Sequence, residues 1–97
     1  MLSNAEQISN LENLKQYVVG VLCELNQLEM GAFPVSERIL VRRDAPCGVF
    51  FCLHGPRSVK FTAIWETERN TVLFYSATGE RIHRMRLAAA PRLEAVA

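Results

Sequence analysis

The strongest candidate for chemistry in this sequence is the pair of Cys52 and His54, which lie two residues apart in an apolar run. In an extended strand, residues two apart point to the same face, so the thiol and the imidazole would be neighbours. Such a pair can act as a thiolate–imidazole couple in nucleophilic catalysis, or provide half of a metal site. Cysteine is also among the most commonly buried residues, and a structural thiol is therefore the favoured interpretation.

The other chemically capable residues match no catalytic pattern. Cys47 and Cys52 are five positions apart, which is not a zinc-ligand spacing. The segment Gly55-Pro56-Arg57-Ser58 lacks the frame of a phosphate-binding loop and precedes a strand pattern, so we interpret it as a hairpin turn. His83 is expected on the core side of a sheet, in a packing role. We therefore predict a protein that is not an enzyme, with no catalytic, cofactor-binding or metal site.

Length and composition indicate one ordinary globular domain. The chain has 97 residues, 49% of them hydrophobic and 22% charged, with a net charge of +1. This small net charge offers no strong general attraction to nucleic acid or anionic lipid. The charge is unevenly distributed, because residues 1–30 hold one Lys and four Glu whereas residues 31–97 hold ten Lys and Arg against six Asp and Glu.

Cysteine usage and the first residues of the chain bear on localisation. The sequence has three cysteines, an odd number, and each lies within an apolar run. Residues 1–7 lack the basic and apolar stretches of a signal peptide. The longest helical apolar run, residues 17–23, is far shorter than the roughly 20 residues needed to span a bilayer. We expect a cytoplasmic protein without a membrane segment.

Apolar residues in the N-terminal third follow the period of an amphipathic helix. They recur at alternating intervals of three and four, as Leu11, Leu14, Val18, Val21, Leu25 and Leu28. Two capping-box patterns, Ser3 with Glu6 and Ser9 with Glu12, compete for its start, and Gly31 followed by Pro34 marks its end. We predict a helix over 4–30. A coiled coil is the less favoured alternative, since it normally needs three or four heptads.

The rest of the chain has the pattern of an antiparallel meander. Five apolar runs, at 37–43, 47–54, 58–66, 71–76 and 80–87, are separated by short segments rich in turn residues. We predict a small α+β domain over 1–97, in which one long N-terminal helix packs on a five-stranded antiparallel β-meander and residues 88–97 form a flexible tail.

Closing each predicted hairpin at its turn gives the pairing of the strands. The predicted partners are Ile39 with Phe51, Val41 with Val49, Leu53 with Val59, Phe51 with Phe61, Val49 with Ala63, Cys47 with Trp65, Trp65 with Val72, Ala63 with Phe74, Phe74 with His83, and Val72 with Met85. All four loop lengths send the large apolar residues to the same face. The helix can cover only that face.

The opposite face is the main functional clue. Its predicted middle row is Leu40, Phe50, Thr62, Tyr75 and Ile82, adjoined by Ile64 and Leu73 and surrounded by Arg38, Arg42, Lys60, Arg84 and Arg86. A sheet face exposed to water normally alternates to polar residues, and an apolar patch of this kind typically marks an interaction site. We predict an interface of Leu40, Phe50, Ile64, Leu73, Tyr75 and Ile82, with Arg38, Arg42 and Arg84 at its rim.

Three interpretations of this patch remain open from the sequence. A second copy or another protein covers it, in which case the protein is a small interaction or regulatory domain, with self-association favoured. Alternatively, single-stranded nucleic acid binds there, with bases stacked on Phe50 and Tyr75 and phosphates held by the arginines. In the third interpretation the sheet curls, or the C-terminal tail covers the patch. We favour the first, with a homo-oligomer or protein partner, no cofactor and no membrane.

Overall fold

One helix and one antiparallel sheet make up the fold. The structure, a computed structural model, describes residues 10–88. The elements are α1 (Leu11–Asn26), β1 (Val35–Arg42), β2 (Ala45–His54), β3 (Lys60–Glu66), β4 (Thr71–Tyr75) and β5 (Arg81–Arg86), with a short 3-10 turn at Pro56–Ser58. The five strands pair in chain order, each antiparallel to the next. The predicted α+β meander is therefore confirmed.

The helix α1 is shorter than the predicted span. It begins at Leu11, because Asn10 is extended and its side-chain Oδ1 accepts a 2.8 Å hydrogen bond from the Asn13 backbone N–H. Ser3 and Ser9, the two predicted caps, lie outside the described residues, as does nearly all of the predicted tail. Between residues 10 and 88, no helix is long and apolar enough to cross a membrane.

The helix also ends earlier than predicted, at Asn26 rather than at residue 30. Gln27 adopts the left-handed conformation, and its N–H bonds back to the Cys23 and Glu24 carbonyls. The Leu28 N–H donates to the Cys23 carbonyl at 2.8 Å, and the Leu28 side chain packs against the core. These bonds form a Schellman-type end without glycine, so Gly31 is not the residue that stops the helix.

The core lies between α1 and one face of the sheet. Its largest fully buried side chains are Trp65, Phe51, Phe74, Leu14, Leu22, Leu53, Val18, Val49 and Val72. The helical members belong to the predicted stripe or adjoin it, and the sheet members all lie on the predicted core face. A helix and a sheet that each bury one apolar side form a single two-layer core.

The register agrees with the predicted core pairs between β3, β4 and β5 and differs between β2 and β3. Trp65 pairs with Val72, and Phe74 with His83, as predicted. Phe51, however, pairs with Ala63 rather than with Phe61. The cause is the connection after β2, where the 3-10 turn at Pro56–Ser58 makes the loop longer than a tight hairpin. Because the shift is two residues, the side chains of β2 and β3 keep their predicted faces.

The β1–β2 hairpin differs in a similar way. Its turn is formed by Arg43 and Asp44, both with positive φ, so the hairpin closes more tightly than predicted. Ile39 therefore pairs with Val49 instead of Phe51, and a register irregularity follows Leu40. The predicted pairing of Val41 with Val49 is also wrong: Val41 lies opposite Pro46 and is 61% exposed.

Candidate interaction surface

The side of the sheet opposite α1, which we call the open face, has an apolar row with an arginine at each end. Cross-strand register places five residues side by side from β1 to β5: Arg38, Phe50, Ile64, Leu73 and Arg84. Three of the predicted apolar interface residues and two of the predicted rim arginines thus lie in a single row. The arginines occupy the two edge strands, where a long side chain can reach solvent.

Two further rows lie on either side of this central row. One contains Ser36, Cys52, Thr62, Tyr75 and Arg81, and the other contains Leu40, Gly48, Glu66, Thr71 and Arg86. The residues predicted to share one middle row are therefore spread over all three. Tyr75 lies opposite Arg81 rather than Ile82, because the register is irregular between Phe74 and Tyr75. Arg42, the third predicted rim arginine, pairs with Ala45 at the end of β1.

The apolar residues of the open face are more covered than the sequence suggested. Leu73 is only 9% exposed, and Leu40, Phe50, Ile64 and Tyr75 are half-buried. Ile82 is the most accessible of the predicted apolar set, at 42%. Part of the cover comes from Arg38, whose guanidinium carbon lies 5.4 Å from the centroid of the Phe50 ring in a cation–π contact.

The arginines of the open face have no acidic partner among residues 10–88. Arg38, Arg42, Arg81, Arg84 and Arg86 are exposed, and none of them forms an ion pair with another described residue. The ion pair that is present joins Lys15 Nζ to Glu37 Oε1 at 3.4 Å, between α1 and β1. Within residues 10–88, the three rows of the open face hold four arginines and one glutamate, Glu66, so this face carries an excess of positive charge.

Two concavities occupy one end of the open face. The apolar concavity, of about 610 Å³, is lined by Leu40, Arg42, Ala45, Pro46, Cys47, Ile64, Trp65, Glu66, Thr67, Glu68 and Arg69. The basic concavity, of about 450 Å³, is lined by Arg69, Arg81, Arg84, Arg86, Glu66, Glu68, Thr71 and Leu73. Both share Glu66, Glu68 and Arg69. Regular alternation along β5 predicts only Arg84 and Arg86 on this face. Arg81 joins them because of the register irregularity beside Tyr75, and the contribution of Arg69 depends on the tertiary structure.

The turn between β3 and β4, which both concavities share, is held by hydrogen bonds from two directions. The backbone N–H and the hydroxyl of Thr67 both donate to the Cys47 carbonyl, at 3.1 and 3.0 Å. Asn70 accepts a 2.9 Å bond from the Trp65 indole N–H and donates to the Leu87 carbonyl at 3.3 Å. The Leu87 N–H donates to the Asn70 carbonyl at 2.9 Å. This turn is therefore anchored to both β2 and the chain leaving β5.

Among the described residues, Cys52 and His54 share no side-chain hydrogen bond. Cys52 is 5% exposed, and the His54 imidazole is instead hydrogen-bonded to the Ser36 hydroxyl, with 3.0 Å between Nε2 and Oγ. A nucleophile with its base normally also needs a third group that orients the base, and no described residue forms a second side-chain hydrogen bond with His54. No group of three or more His, Cys, Asp or Glu within residues 10–88 could hold a metal ion.

Comparisons with protein-family models, with curated protein sequences and with solved structures found no match. The class that the fold and the surface define is a small α+β domain with one covered and one open sheet face. Arguments about function therefore depend on the surface itself.

Proposed function

We propose that this protein is a small non-enzymatic interaction domain that self-associates through its open face. The observation that carries the proposal is the central row, in which Phe50, Ile64 and Leu73 lie between Arg38 and Arg84 with no element of residues 10–88 packed on top. An apolar centre within a charged rim is the usual composition of a protein interface.

The exposed apolar surface supports the same proposal. Phe50, Ile64 and Tyr75 on the open face are half-buried and keep part of their surface accessible. Burial of a side chain of this size is worth roughly 1.5–3 kcal/mol when complete. A two-fold pair buries the same patch on both copies, so each such residue contributes twice. A modest patch can therefore stabilise a dimer.

The test is the solution mass of the purified protein, measured by light scattering over a range of concentrations. We expect a dimer that dissociates on dilution, and we expect Tyr75→Glu to shift the dissociation constant by at least about tenfold toward monomer. Tyr75 lies on the open face and is half-buried. It is the better probe than Leu73, because Leu73 is buried and a charge there would also destabilise the fold.

Leu25→Glu is the matched control. Leu25 is an apolar residue that is 41% exposed, but it lies on α1 on the other side of the sheet. Its replacement should leave the mass unchanged. A wild-type protein that is monomeric at every concentration would contradict the proposal, and so would equal effects of the two variants.

A further inference from the structure

We propose that the basic concavity binds an acidic segment of another protein, whose carboxylates contact Arg81, Arg84 and Arg86 while a neighbouring apolar side chain enters the apolar concavity. This inference goes beyond the proposed function and does not depend on self-association. It assigns a partner chemistry to one end of the open face.

The first argument for this inference is the positive charge of the basic concavity. Arg81, Arg84 and Arg86 on β5 converge with Arg69 of the β3–β4 turn, so two elements contribute positive charge to the same space. Two glutamates in the lining leave this concavity with an excess of positive charge. The planar guanidinium group suits two parallel hydrogen bonds to a carboxylate, which makes an acidic side chain its natural counterpart.

The second argument is that the apolar concavity adjoins the basic concavity. It shares Glu66, Glu68 and Arg69 with the basic concavity, and its other walls include Leu40, Pro46 and Ile64. Gly48 lies between Leu40 and Glu66 in the same row and contributes no side chain to this end of the face. A ligand suited to both concavities has an apolar side chain next to carboxylates, as an acidic peptide segment does.

Single-stranded nucleic acid fits the open face less well. Glu66 and Glu68 line the basic concavity and would repel phosphate and carboxylate alike, so they do not distinguish the two ligands. Base stacking needs free aromatic faces, and the Phe50 ring is already covered on one side by Arg38. Tyr75 is the other aromatic side chain of the open face within the described part of the chain. The small aromatic surface and the neighbouring apolar concavity favour the acidic peptide.

The third argument is that hydrogen bonds hold the β3–β4 turn in place. Thr67 and Asn70 bond to β2 and to the chain after β5, so the turn that carries Glu68 and Arg69 is positioned before any ligand arrives. A site that is ordered in advance loses less conformational entropy on binding. This arrangement suits a defined docking site better than a diffuse basic surface.

The experiment is a titration of the ¹⁵N-labelled full chain, followed by amide chemical shifts. The probes are a synthetic peptide that alternates Leu with Glu and Asp, the same peptide with Gln and Asn in place of the acids, and oligothymidylate. We expect the acidic peptide to shift the amides of residues 66–69 and 81–86. Arg84→Glu should weaken its binding by about tenfold, and added salt should weaken it further.

Arg57→Glu is the matched control, since Arg57 is an exposed arginine in the β2–β3 connection and lines neither concavity. The Arg57→Glu variant should bind the acidic peptide with the same affinity as the wild type. Three results would overturn the inference: no shifts with the acidic peptide, equal binding of the amide peptide, or tighter binding of oligothymidylate. Ile64, Leu73 and Arg84 belong to both proposed surfaces, so a bound peptide and a second copy would compete. The titration is therefore run at a concentration at which light scattering gives the mass of the monomer. Self-association is tested separately by mass, so failure of one proposal is distinguishable from failure of the other.

Discussion

At the scale of single residues, Gly48 shows how one position shapes the open face. A β-carbon placed there would overlap the Trp65 carbonyl oxygen and lie 3.4 Å from the carbonyl carbon. Both atoms belong to the backbone of β3, so neither can move away as a flexible side chain would. Glycine is needed here because β2 and β3 approach closely, and its missing side chain also leaves room between Leu40 and Glu66.

We therefore expect Gly48→Ala to destabilise the protein. The added methyl group must displace a paired strand, and overpacking of this kind typically costs about 1–3 kcal/mol of unfolding free energy. Urea denaturation followed by circular dichroism measures the change. Thr62→Ala, a small change on the same face without such a clash, serves as the control. Wild-type stability in Gly48→Ala would mean that the close approach of the two strands is not as described.

Asn70 is the residue whose role could least be predicted. Its position in a turn is ordinary for asparagine, and its positive φ of 48° agrees with that. Its side chain also joins the Trp65 indole to the Leu87 carbonyl. Only the tertiary structure shows this link. Trp65 is 1% exposed, and a buried indole N–H needs a partner. Nothing in the sequence identifies which turn residue supplies it.

At the scale of the elements, α1 shows why helix ends are harder to predict than helix faces. The predicted stripe gave the buried side of the helix correctly at Leu11, Leu14, Val18 and Val21, but Leu25, near the helix end, is 41% exposed. The ends were decided by local hydrogen bonds at Asn10 and Gln27, neither of which belongs to the predicted signals. Several residues near each end of a helix can cap it, and which of them does so depends on where the chain must turn.

We expect Asn10→Ala to lower the unfolding free energy by about 1 kcal/mol, because the Asn13 N–H loses its acceptor at the start of the helix. Thermal or urea unfolding of the full chain measures this. Gln16→Ala, an exposed substitution within α1, is the control and should have little effect. If both variants matched the wild type, Asn10 would not be the N-cap in solution.

At the scale of the whole molecule, the two sides of the sheet differ in charge. Glu12 and Glu24 are exposed on α1, which has no basic residue in its last turn. The opposite side carries the arginines of β1 and β5. The net charge of +1 conceals this separation, because opposite charges cancel in the sum although they lie on different faces. Electrostatic steering depends on the face and not on the sum.

The core makes stability depend on pH in the alkaline range. Burial raises the pKa of the Tyr17 hydroxyl and of the Cys23 thiol. The folded state therefore holds these protons at pH values where the unfolded chain, with ordinary pKa values of about 10 and about 8.5, has released them. Stability is complete below those ordinary values and falls as pH rises through the raised ones.

We expect the free energy of unfolding of Tyr17→Phe to fall less steeply with rising pH than that of the wild type, because the variant has lost one of the two groups that titrate. Urea midpoints measured from about pH 7 to about pH 11 test this. At neutral pH, Tyr17 and Cys23 are protonated in both the folded and the unfolded state. The pH-dependent part of the stability difference between Tyr17→Phe and the wild type should therefore vanish there. A slope above about pH 10 as steep as that of the wild type would contradict the assignment to Tyr17.

The sequence by itself determined the α+β class, the order of the strands and the face of the large side chains that form the core, although not the positions of Val41 and Ile82 beside the two register irregularities. These follow from periodicity, which is a local property: an error of two residues in register leaves every face unchanged. Three features were decided only by the tertiary structure: the register of β1 and β2, the cover of Arg38 over Phe50, and the convergence of Arg69 with the β5 arginines. They depend on loop conformation and on contacts between residues distant in sequence, which no local pattern encodes.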